Sequence, residues 1–173
     1  TNGCQRGEFD LLRESLHNHL GGIPFYSALG NHDYFSNDQG VMPCAEAREC
    51  FINYVIRQND SSKVYLEGSY AARINGIHII FLDCIRNRRN FRFDDDLHDW
   101  LKYELKKSES DRFRIIVNHL PLADHNLGCR QKTHEFMSGN GKLQRLINDA
   151  GRIICISGHT HNRLDSDYPS AEQ

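Results

Sequence analysis

Arg152-Ile153-Ile154-Cys155-Ile156-Ser157-Gly158-His159-Thr160-His161 is the stretch that decides how this chain is read. Its first half is an apolar run of strand length, and its second half is polar, turn-forming and carries two imidazoles. The same juncture occurs twice more. Ile23 to Leu29 reads as a buried strand that runs into Gly30-Asn31-His32-Asp33, and the strand Arg114 to Val117 runs into Asn118-His119, with Pro121 stiffening the loop beyond. In an open α/β sheet, ligands bind at the carboxyl ends of the strands, so three strand ends far apart in the chain are expected to meet at one site.

Working outward, the elements mostly alternate. Phe9, Leu12, Leu16 and Leu20 recur at helical spacing until Gly21-Gly22 terminates them. Ala47, Phe51 and Val55 suggest a second helix running to about Gln58. Tyr70, Ala72 and Ile74 alternate up to Asn75-Gly76, a strong two-residue hairpin signal, and Ile77 to Leu82 is the apolar partner strand. Asp94-Asp95-Asp96 opens a helix with Leu97, Leu101 and Leu105 on one face and lysines toward its end, and Lys142 to Ala150 reads as another helix. One hairpin within an otherwise alternating order indicates an α/β domain with a mixed sheet. Nothing resembles a linker or a repeat, so the chain, residues 1–173, reads as a single domain.

Composition excludes several classes. With 173 residues, 39% hydrophobic and 25% charged, the chain can bury a sizeable core and is not of disordered type. No apolar stretch approaches the roughly 20 residues needed to cross a bilayer. A net charge of −2 argues against a generally basic nucleic-acid surface, while leaving room for a local arginine cluster. The six cysteines, at 4, 44, 50, 84, 129 and 155, form no Cys-x-x-Cys pair, which reads as a reduced pool and a cytoplasmic protein, with Cys84 and Cys155 buried in or beside strands.

Ten histidines is the unusual number, and their placement gives it meaning. His159 and His161, one residue apart in extended chain, project to the same side and can serve two adjacent metal ions. Gly158 is expected to let the backbone turn just before them. His119 adds a third imidazole, and Asn31 offers a neutral carbonyl oxygen where one more carboxylate would overcharge the site. His32 stands beside the metals without binding them and is placed to protonate a departing alkoxide, with Asp33 orienting it or holding it charged. Taken one at a time, a strand-end histidine is more often a surface or core residue, and Gly-Asn-His-Asp a simple turn. Together they are hard to dismiss, since a single specified tetrapeptide arises in a chain of this length with a chance on the order of one in a thousand.

The ordered set Gly30-Asn31-His32-Asp33, His119-x-Pro121 and Gly158-His159-Thr160-His161 resembles the three C-terminal motifs of the calcineurin-like metallophosphoesterases. Leu97 to Leu101, containing Trp100-Leu101, is similar to the helix that precedes the third motif in many bacterial members of that family. The resemblance implies a four-layer αββα fold, a mixed β-sheet sandwich flanked by helices. It also implies hydrolysis of phosphoric esters by hydroxide activated between two divalent metals, drawn from Mn, Fe, Zn, Ni or Co. Asn31, His119 and His159 would bind the second metal, His161 the first, and His32 would assist the leaving group. The expected substrate is a phosphate-ester small molecule or a nucleotide, with nucleic acid left open and no membrane. The family's Asp-x-His and Gly-Asp motifs are absent, so the chain is expected to be a fragment cut just past them, and cut again after its last motif. As given it would bind metal weakly and turn over poorly.

Arg86, Arg88, Arg89 and Arg92 lie in a polar loop and, with His125 beyond His119, are candidates for gripping a phosphate or a nucleotide leaving group; a solvated loop is the plainer reading. His17-Asn18-His19 falls inside a helix, where residues two apart diverge, and is assigned no role. The rival readings are a nucleotide phosphodiesterase or nuclease of the same family, which the arginine loop would favour, and a non-catalytic scaffold retaining the fold.

Overall fold

A computed structural model describes residues 6–34, 44–56, 63–64, 66–87, 90–122 and 138–159. In chain order these form α1 (Arg6–Leu20), a 3₁₀ turn (Asn31–Asp33), α2 (Cys44–Phe51) continued by a π-helical turn (Ile52–Ile56), β1 (Lys63–Val64), a second 3₁₀ turn (Leu66–Gly68), β2 (Tyr70–Ile74) and β3 (Ile77–Leu82). There follow β4 (Ile85–Asn87), β5 (Asn90–Phe91), α3 (Asp95–Lys107), β6 (Arg114–Asn118), α4 (Asn140–Ala150) and β7 (Ile153–Ser157). Five strands make one mixed sheet in the order β1-β2-β3-β6-β7, and β4 with β5 makes a separate two-stranded ribbon.

Local chemistry accounts for the joints. Asn75 and Gly76 both adopt positive φ, 50° and 82°, the conformation a two-residue hairpin needs to match the twist of its strands, so β2 and β3 pair antiparallel. Asp94 caps α3, its side chain accepting from the Leu97 N–H at 3.1 Å. Beyond the hairpin, β3, β6 and β7 run parallel, with α3 returning the chain from one to the next and α4 from β6 to β7.

The sheet is covered on both faces. On one, Tyr70 and Phe81 are cross-strand partners whose rings stack at 4.4 Å, and Phe51 packs on Tyr70 at 6.4 Å. On the other, Arg114 is buried and its guanidinium donates to the carbonyls of Leu105, Ala150 and Gly151 at 3.0, 2.8 and 2.6 Å. A cation among carbonyls left open at the C-terminal ends of α3 and α4 is favoured by both helix dipoles, and it pins both helices to β6. Leu97, Leu101, Leu105, Leu143, Ile147 and Ile116 fill the layer with it.

Three expectations need correction. The segment from Ile23 to Leu29 forms no strand among the described residues. Pro24 has no N–H to give to a ladder, and the Tyr70 hydroxyl occupies both backbone groups of Ser27, accepting from its N–H at 3.0 Å and donating to its C=O at 2.7 Å. The second helix is α-helical only to Phe51 and then widens into the π turn; residues 57–58 lie outside the described part. Cys155 is exposed, unlike Cys50 and Cys84, because β7 has no outer neighbour among the described residues. Ile154 and Ile156 are accordingly 49% and 50% exposed. Among the described residues, Cys50 and Cys155 are free thiols. No helix among the described residues is long and apolar enough to cross a membrane.

Candidate metal centre at the strand ends

Register places the site. Leu82, Asn118 and Ser157 are aligned across the three parallel strands, so the residues that follow, Asp83, His119 and Gly158, form a row along the carboxyl edge of the sheet. The Gly158 N–H donates to the His119 carbonyl at 3.1 Å and ties the last two positions of that row together. The 3₁₀ turn carrying Asn31 closes over this edge.

Three side chains converge there. Asn31 Oδ1 lies 2.8 Å from His119 Nε2, and His159 Nδ1 lies 3.1 Å from the same nitrogen. The two imidazoles meet edge to face, with centroids 4.9 Å apart. Which ring nitrogen donates in each contact depends on the tautomers of the two imidazoles. Two imidazole nitrogens and an amide oxygen are atoms that could hold a cation. Cis ligands about 2.1 Å from one six-coordinate ion stand about 3 Å apart and tetrahedral ones about 3.4 Å, so the 2.8 and 3.1 Å contacts are compatible with a shared ion as well as with hydrogen bonds. Among the described residues no three of His, Cys, Asp and Glu gather to hold a metal. This cluster has two histidines, and its third member is an amide oxygen.

Tight packing holds the cluster. A Cβ on Gly30 would stand 3.0 Å from both Cε1 and Nδ1 of His119, closer than carbon atoms normally approach, so the residue before Asn31 must lack a side chain for the ring to lie where it does. Phe91 on β5 meets the His159 ring at 5.9 Å and brings the β4–β5 ribbon against the site. The turn is made by His159, at φ 70°, and not by Gly158. A histidine held in the left-handed region is uncommon, and such backbone persists where surrounding contacts fix it.

His32, the middle residue of the turn, is exposed, whereas Asn31 and Asp33 are half-buried. Asp33 Oδ2 accepts from the Gly30 N–H at 2.7 Å, which closes the turn on itself. That contact gives Asp33 a share in holding the loop, beyond the orienting part expected of it. His161, Arg88 and His125 lie outside the described residues, as does the side chain of Arg86, whose backbone belongs to β4. A groove of about 680 Å³ runs behind the strand ends between β6, β7 and α4; Ile116, Asn118, Leu143, Ile147 and Cys155 line it, but none of the three converging residues does.

Sequence reasoning missed one element beside the site. Asp83 is buried at the end of β3, where its Oδ2 accepts from the Tyr34 hydroxyl at 2.6 Å and from Arg48 Nε at 2.7 Å. Its Oδ1 accepts from the Ile85 N–H at 3.1 Å. Burial pushes this carboxyl above the usual carboxylate range, and Arg48 with the three hydrogen bonds works against that. Burial, with the Asp83 charge beside it, likewise raises the Tyr34 hydroxyl. The signal was present in the sequence: an acidic residue directly after an apolar strand, in the same relation to β3 as His119 has to β6.

The architecture is a mixed α/β sheet with histidine and amide groups gathered at its carboxyl edge. The chain belongs to the calcineurin-like phosphoesterases, whose family model matches residues 4–163. No curated protein matches it.

Proposed function

We propose that this protein hydrolyses phosphoric esters at the strand-end cluster, with Asn31, His119 and His159 holding one divalent cation, His161 contributing to a second, and His32 serving as the general acid. The family is one of phosphoric ester hydrolases, which supports the reaction class. The observation that carries the assignment of residues is the convergence of Asn31 Oδ1 and His159 Nδ1 on His119 Nε2 at 2.8 and 3.1 Å. Divalent cations bound there would acidify an attacking water and neutralise the phosphoryl oxygens, and their identity among Mn, Fe, Zn, Ni and Co follows availability.

The chain's own part is positioning and proton delivery. The turn closed by Asp33 presents His32 to solvent next to Asn31, where an ester group can reach it. As the water oxygen bonds to phosphorus and the bond to the leaving oxygen breaks, a proton from imidazolium His32 passes to that oxygen, a contribution of about 10² to 10⁴ in rate. Phe91 holds the His159 ring from the side of the arginine-bearing ribbon. A second reading has Arg86 and Arg88 of that ribbon's sequence gripping a nucleotide or a diester.

In the full chain, His32→Ala is expected to lower turnover by that factor with metal content unchanged. Loss of metal in this variant would remove His32 from the role of acid. Comparing p-nitrophenyl phosphate with bis-p-nitrophenyl phosphate separates the two substrate readings. A diester preference that Arg86→Ala and Arg88→Ala abolish supports the second.

A further inference from the structure

The turn that carries Asn31 and His32 follows a segment, residues 23–30, that no strand pairs with among the described residues. Its place over the sheet edge must therefore be set by side chains. Tyr34 directly follows the turn and is fully buried, and its N–H donates to the Asn31 carbonyl at 3.2 Å, closing the turn's last bond. Its hydroxyl reaches Asp83, which the register fixes in the same row as His119. Arg48 Nε donates to the same carboxylate oxygen, and Arg48 lies 5.3 Å over the Tyr34 ring, donates through Nη2 to the Ile85 carbonyl, and pairs with Glu67 at 3.6 Å. Each member is held from at least two directions.

We propose that Asp83, Tyr34 and Arg48 form a positioning network for the reaction, fixing the Asn31–Asp33 turn to the rigid end of β3 so that the Asn31 amide oxygen stays beside His119. The inference rests on the hydrolytic reading of the cluster. They act through the backbone of the turn, which Tyr34 continues. A buried ion pair with a tyrosine hydroxyl suits this task better than apolar packing, because a carboxylate accepting from three directions allows one geometry where a methyl group allows many.

The test uses Tyr34→Phe in the full chain, which removes the hydroxyl and keeps the ring in the core, together with Arg48→Lys, which keeps the charge but loses the fork. The first readout needs no metal: hydrogen exchange at the Asp33 and Tyr34 amides, whose N–H groups close the turn. The proposal expects exchange there to speed up about tenfold while β3 and β6 amides hold their protection. Mn²⁺ affinity is expected to fall about tenfold, and kcat to fall by a similar factor with KM little changed, as for loss of a group that orients a ligand.

Unchanged exchange at those two amides in both variants overturns the network, whether or not the protein binds metal. Uniform loss of protection across the sheet, with Mn²⁺ affinity of the folded protein unaltered, also overturns it, because the residues would then be merely structural. Wild-type protein that binds no Mn²⁺ and cleaves neither nitrophenyl ester sinks the hydrolytic reading instead, and the exchange result then still decides whether Asp83 anchors the turn.

Discussion

Two polar clusters sit along one edge of the same sheet, and they have been finished differently. At the end of β3, Asp83 is 1% exposed and both of its oxygens accept from fixed donors, the Tyr34 hydroxyl, Arg48 Nε and the Ile85 N–H among them. At the ends of β6 and β7, His119 and His159 are half-buried and direct nitrogen atoms at each other and at the Asn31 carbonyl oxygen. The first cluster has its charges neutralised and its valences filled from within the chain. In the second, half-buried imidazole nitrogens and a neutral amide oxygen meet at hydrogen-bond distance, atoms of the kind that can also ligate a cation. The sheet supplies the same platform to both, and the difference lies in charge and burial: a buried ion pair closed by fixed donors holds structure, whereas half-buried neutral ligand atoms are within reach of a bound ion.

Substitutions can break this contrast. The largest effect is expected from Asp83→Ala, which strands Arg48 and the Tyr34 hydroxyl without their acceptor; stability should fall by about 3 to 5 kcal/mol in urea titrations. A loss under about 1 kcal/mol would mean that the cluster is not the saturated anchor described here. His119→Ala should do the opposite, leaving the unfolding midpoint nearly unchanged while bound metal drops by one per chain and turnover falls at least about 10²-fold. Metal analysis beside thermal unfolding distinguishes a ligand from a buttress.

A smaller effect sharpens the second cluster. Gly30→Ala places a Cβ against the His119 ring, which must shift by a few tenths of an ångström, so Mn²⁺ affinity should weaken about tenfold while the fold is retained. Calorimetric titration that finds wild-type affinity would mean that the ring position is not critical.

The smallest effect concerns a third polar pair, away from the edge. His78 on β3 is buried with Nε2 3.0 Å from Glu104 Oε2, but neither ring nitrogen makes a well-aligned hydrogen bond. Burial holds its imidazole below the ordinary histidine range, aided by Arg73 and Lys107 and opposed by Glu104. The unfolded chain, with an ordinary imidazole near 6.5, therefore takes up a proton that the folded chain resists, and stability is lost as pH falls through that range. Unfolding free energy followed from pH 7.5 to 5 should decline with a slope that is a fraction of the about 1.4 kcal/mol per pH unit one whole proton gives. His78→Gln should flatten it. An unchanged slope would place the titrating group elsewhere.

Much of the site was legible because it is written in local joints. Apolar run followed by polar turn marked the ends of β6 and β7, Asn75-Gly76 marked the hairpin, and Asp94 marked the start of α3, each through a preference that a few neighbouring residues enforce. The strand expected at Ile23 to Leu29 failed because a side chain from β2, more than forty residues on, claims the backbone groups of Ser27. Gly158 was expected to make the turn at the last motif, but the chain turns at His159, where Phe91 and His119 pack on the ring.

The sequence by itself determined the α/β class, the strand-end residues with ligand chemistry, and membership among the phosphoesterases, since these depend on periodicity, turn chemistry and ordered motifs. Only the tertiary structure decided that Asp83 shares a row with His119 and that Tyr34 and Arg48 close on it. Parallel strands have their register fixed by hydrogen bonds between segments more than thirty residues apart, and no local pattern in the chain encodes which residue will end up beside which.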